Sequence, residues 1–163
     1  MKITLRNNKI DSIYNDNKDI SNLSQSVVVI PVDIYNRLHA IYVNAGYNVD
    51  NGFNGLPNPK DILIDNDLLS VKIATAQYNR QIRENIGVAW GNYKFKTDTK
   101  TCSSLLGVIS GINSGLTSLN TVEWRDKDGK FFNASATDLQ SILAIVMPAT
   151  EVNFSNEKQE IYG

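Results

Sequence analysis

The chain has 163 residues, 42% of them apolar and 20% charged, with a formal net charge of −1. That length supports one ordinary domain or two small ones around a real hydrophobic core. Near-neutral charge with dispersed Lys and Arg excludes nucleic acid as the main partner, and no apolar run of about eighteen residues exists to cross a membrane.

The stretch Met1 to Asn8 lacks the apolar centre of a signal peptide, so cytoplasmic synthesis is expected. The single cysteine, Cys102, permits no internal disulfide and fits a reducing compartment. Asparagine is abundant, and more than half of it lies before residue 67. Because asparagine tolerates turns and left-handed backbone, the N-terminal part is expected to be rich in loops.

Lys2 to Leu5 and Ile10 to Tyr14 alternate apolar and polar residues around Asn7-Asn8-Lys9, which predicts a hairpin. Residues 15–25 are polar and read as loop. Ser26 to Ile30 is a β-branched strand stopped by Pro31. Asp33 to Ala45 follows with helical spacing of Ile34, Leu38, Ile41 and Tyr42, and Gly46 is its expected end. Tyr47 to Lys60 carries turn signals and two prolines, and is the expected seam between halves. A brief strand is expected over Ile62 to Ile64. A helix is expected from Leu68 to Asn85, with Asp65 and Asp67 as acids at its positive end.

The second half is more sharply patterned. Val88-Ala89-Trp90, Gly91-Asn92 and Tyr93 to Lys96 predict a hairpin with a type II′ turn. Thr101 to Leu119 reads as a helix whose apolar stripe is Leu105, Ile109, Ile112, Leu116 and Leu119. Ser103, Gly107, Gly111 and Gly115 recur on another face of it. A second hairpin turns at Asp128-Gly129, with Val122 and Trp124 on one face and Glu123 and Arg125 on the other. Ser135 and Asp138 form a variant capping box ahead of Leu139, Ile142, Leu143 and Val146, and Pro148 is expected to end that helix.

Reactive constellations are absent from this pattern. His39, the only histidine, lies within a helix beside Leu38 and Ile41, with no nucleophile or carboxylate motif to make it catalytic. Cys102 and His39 fall short of a zinc set, and Asp126, Asp128 and Gly129 lack the spacing of a calcium loop. No phosphate-binding glycine loop occurs, so no cofactor or metal is expected. The aromatic residues Trp90, Tyr93, Trp124, Phe131 and Phe132 read as hairpin core before sugar or base stacking. Only the glycines demand an explanation, because each costs about 1 kcal/mol in a helix interior. Gly107, Gly111 and Gly115 are therefore candidate sites of close packing, within the domain or against a partner.

The Trp-containing strand, acidic glycine turn, aromatic strand and Ala-Thr-Asp-Leu of Thr121 to Val146 resemble a domain of unknown function in bacteriophage tail-fibre and fibre-assembly proteins. Gln81-Ile82-Arg83, the hairpin ending in Phe95, Thr97-Asp98-Thr99 and the Leu/Gly helix extend the resemblance to residues 74–147. Pro148 departs from it, standing where family members often continue the last helix and show a histidine. The resemblance implies a non-enzymatic phage tail component at the fibre or baseplate, present in the virion. Its implied partners are other tail or fibre proteins, with a homo-oligomer as one form. An assembly chaperone is the alternative, and a glycan-acting hydrolase is third.

The expected fold is α+β, with short antiparallel hairpins packed with amphipathic helices in two small halves. The expected divisions are residues 1–60, 61–148 and a C-terminal tail, 149–163.

Overall fold

The computed structural model describes residues 1–7, 9–14, 26–47, 55–61, 63, 65–116 and 120–163. The protein is α+β, as the patterning predicts. It divides into two compact units: Met1–Asn79 with Lys158–Gly163, and Arg80–Glu157.

In the first unit, strands β1 (Lys2–Arg6), β2 (Lys9–Tyr14) and β3 (Ser26–Val29) make an antiparallel sheet in the order β2-β1-β3. The expected hairpin closes at Arg6 and Lys9, and Asn7 takes the left-handed conformation at φ 52°. Leu5 faces Ile10 but Thr4 faces Ser12, so Asp11 is an extra residue in β2. Its carboxylate meets Arg6 Nε at 3.2 Å. Helix α1 (Val32–Asn44) buries Ile34, Leu38 and Tyr42, which recur every fourth position on one face.

Gly46 ends α1 as expected. Its N–H donates to Val43 and the Tyr47 N–H to Tyr42, with Gly46 at φ 81°. The Tyr47 ring meets the Tyr42 ring edge-on at 5.9 Å, the apolar contact that accompanies such caps. The core of this unit gathers Ile3, Ile10, Val28, Ile34, Leu38 and Val71. Ile62 and Ile64 of the expected brief strand, and residues 48–54 of the expected seam, lie outside the described residues.

Helix α2 (Asp65–Ile86) begins in the first unit and ends in the second, where it delivers the chain into hairpin β4 (Val88–Trp90) and β5 (Tyr93–Phe95). Gly91 opens the turn at φ 57° while Asn92 keeps a negative φ, the type II′ pattern expected there. Helix α3 (Thr99–Asn113), hairpin β6 (Thr121–Arg125) and β7 (Phe131–Ser135), and helix α4 (Ala136–Tyr162) follow. Phe95, Leu105, Ala134, Leu139, Ile142 and Val146 are the buried centre. Around it, Tyr93 stacks on Phe132 at 4.3 Å and Trp90 lies 5.8 Å from the same ring.

Four expectations are corrected. Helix α3 stops at Asn113, not Leu119. Gly115 turns left-handed at φ 71°, and the Leu116 and Gly115 N–H groups close back on Gly111 and Ile112. Leu116 is consequently outside the helix and 85% exposed, and Leu119 lies outside the described residues.

Pro148 does not end α4, which runs on to Tyr162. Proline removes one N–H donor, but Ala144 and Pro148 are both on the exposed face, where the freed carbonyl is open to solvent. On the opposite face, Val146, Thr150 and Asn153 are buried and anchor the helix on both sides of the proline.

The expected tail, 149–163, is thus helix as far as Tyr162. The two compact units also divide within α2, after Asn79, and not near residue 60.

Candidate functional site

Helix α3 begins at an N-cap, Asp98, whose Oδ1 accepts the Thr101 N–H at 2.7 Å. The turn between β6 and β7 is organised by a second carboxylate, Asp126, which is buried. Its Oδ1 accepts the N–H groups of Lys130 (2.7 Å) and Asp128 (3.0 Å), and its Oδ2 accepts that of Lys94 (3.1 Å). The Lys127 N–H donates to the Lys94 carbonyl, so the second hairpin is pinned to the first through both backbone groups of Lys94.

Between these two acids lies a cleft of about 300 Å³. It is lined by Lys96, Lys100, Arg125 and Lys127, by Thr101 and Ser104, and by Phe95 and Trp124. Four cations face two carboxylates, which leaves a net charge of +2 in a chain of net −1. Lys127 pairs with Asp128 at 3.0 Å, and Arg125 lies over the Phe131 ring at 5.6 Å. Lys96 and Lys100 are exposed, and neither has an ion pair among the described residues.

The electrostatics follow from that geometry. Burial works to raise the Asp126 carboxyl. The backbone N–H donors of Lys130, Lys94 and Asp128, with the Lys130 ammonium, outweigh it and hold the group below its usual value. Asp138 is also lowered, by the Ser135 hydroxyl at 2.6 Å and the Ser135 N–H at 2.9 Å, and the Asp138 N–H returns to Ser135 Oγ at 3.2 Å. The expected capping box is therefore present.

A carboxyl lowered by folding stabilises the fold above its unfolded value, about pH 3.9, and loses that contribution as pH falls through the lower folded value. Urea midpoints are accordingly expected to drop between pH 5 and pH 2.5. Asp126→Asn should flatten that slope while lowering the midpoint at pH 7. An unchanged slope in the variant would contradict the assignment.

The other singled-out residues are dispersed. His39 is exposed on α1 in the first unit. Cys102 is buried, with its Sγ 3.5 Å from Thr150 Oγ1. Asp67 is buried and pairs with Arg37 at 2.6 Å. Asp126 offers no cation site, because its oxygens already accept N–H donors. Of the five aromatics, Trp90, Tyr93 and Phe132 pack on the core, Phe131 is 60% exposed, and Trp124 both packs on the core and lines the cleft.

Among the described residues, the glycine stripe loses its packing explanation. A Cβ at Gly107 or Gly111 would meet none of the described residues within 4 Å, and Gly115 is a helix cap. Gly107→Ala and Gly111→Ala are each expected to stabilise by up to about 1 kcal/mol, through helix propensity alone. Thermal melts that show either variant destabilised would mean that a contact is missing from this account.

The basic cleft escapes a reading by net charge, because each cation pair flanks an acid: Lys96-Thr-Asp98-Thr-Lys100 and Arg125-Asp126-Lys127. The usable signal is that both acids sit at cap and turn positions, where carboxylates turn toward backbone N–H groups. No family model, curated protein or solved structure matches the chain.

Proposed function

We propose that this chain is a non-enzymatic structural component of a bacteriophage tail, joining or decorating the fibre or baseplate. Its second unit, Arg80–Glu157, would serve as the binding module. The likeness of residues 74–147 to the tail-associated domain supports the phage setting.

The observation that carries the non-enzymatic part is the use of the cleft's carboxylates. A glycan hydrolase needs one carboxyl held protonated as general acid and a second as base or nucleophile. Asp126 is instead lowered by its N–H donors, and Asp98 accepts from the α3 backbone. Both serve the fold.

A fibre-assembly chaperone is the second reading, since such a protein also needs a binding surface and no chemistry. Removing the chain from a producing phage tests the proposal. Particles made without it are expected to lack a tail appendage in electron micrographs, and purified protein supplied afterwards should restore it. Unaltered tails that adsorb normally would overturn both readings.

A further inference from the structure

The cleft of the second unit combines features that recognise one class of ligand, and this inference rests on reading the chain as a binder rather than an enzyme. We propose that it binds an acidic saccharide, a hydroxylated ring bearing a carboxylate. Lys96 and Lys100 are exposed cations without ion pairs among the described residues, and with Arg125 they set a positive field over about 300 Å³, enough for one or two sugar rings.

Trp124 supplies a flat apolar wall, against which the C–H face of a ring stacks. Thr101 and Ser104 add hydroxyls. Asp98 uses Oδ1 in the helix cap, leaving Oδ2 without a partner among the described residues, so it can accept a ligand hydroxyl. That last feature selects between polyanions. A sugar ring is rich in hydroxyl donors for a carboxylate, whereas a nucleic-acid backbone presents phosphates that Asp98 and Asp126 repel.

Titration of the full chain with tri-galacturonic acid, followed by tryptophan fluorescence in a Trp90→Phe background, tests this. Trp124 is then the only indole, because the chain has two tryptophans. A saturable change is expected, weakened about tenfold or more by Lys96→Gln with Lys100→Gln. Lys60→Gln with Lys72→Gln, exposed in the first unit, should leave it unchanged. Galactotriose, the neutral counterpart, should bind at least tenfold more weakly.

The inference is overturned if the acid does not bind, if the neutral sugar binds equally, if the cleft variant binds as wild type, or if a single-stranded oligonucleotide binds more tightly. Release of new reducing ends from the bound sugar would instead overturn the non-enzymatic reading. Simple non-binding leaves that reading intact.

Discussion

Gly87→Ala is expected to destabilise the second unit by about 3–5 kcal/mol, a large share of the stability of a small domain. Two independent costs add at this position. Gly87 ends α2 at φ 69°, with its N–H donating to the Arg83 carbonyl at 3.1 Å, and alanine in that left-handed cap costs about 1 kcal/mol. In addition, a Cβ would lie 2.1 Å from the Phe95 carbonyl oxygen, and that oxygen belongs to backbone. Neither the helix end nor β5 can yield cheaply, because Phe95 is buried in the core and the Thr97 N–H donates to Glu84 just beyond it. Urea unfolding reads the loss. Gly91→Ala is the control, since Gly91 has a positive φ but open space, and about 1 kcal/mol is expected there. Equal effects at the two positions would mean that the close approach at Phe95 is not rigid.

The second large effect lies at the other end of the chain. A chain ending at Pro148 is expected to lose cooperative unfolding of the second unit, although it retains all of the residues that resemble the tail domain. Truncation removes Thr150 and Asn153, both buried, together with Glu157. Asn153 Nδ2 donates to Thr97 Oγ1 at 2.8 Å and to the Thr97 carbonyl at 3.3 Å, so its loss leaves two acceptors unserved on buried Thr97. Glu157 lies 2.7 Å from Arg80 Nε, and Phe154 lies under the Arg80 guanidinium at 4.5 Å. Removing one side of these partly buried contacts costs several times what an exposed pair would. Asn153→Ala isolates the hydrogen bonds, with about 1–3 kcal/mol expected. A chain ending at Glu157 should keep the second unit folded. Wild-type melting of the shorter chain would return 149–163 to the status of a tail.

These two positions also mark what could be read from the amino acids. Gly46, Gly91 and the Ser135–Asp138 box are legible because each answers to the geometry of its own few neighbours. Their chemistry is local, so residue type and spacing suffice. Gly87 was hidden, because its strictest constraint is a carbonyl eight residues away on a strand. Pro148 misled for the opposite reason. Its local preference is to end a helix, and burial of Thr150 and Asn153 overrides it.

The α3 stripe shows the same limit. Leu105 and Ile109 are core, yet Leu116 continues their period into a cap and is left exposed. The basic cleft is the least legible feature. Its cations come from two segments that a turn carboxylate, Asp126, brings together, and each segment alone reads as electrically mixed.

Quantitative mass spectrometry of purified phage particles tests the central claim, that the chain is built into the tail. The protein is predicted to be present in fixed stoichiometry with the fibre or baseplate proteins and to stay with the particle through a density gradient. Detection only in the lysate, with none on the particles, would contradict it.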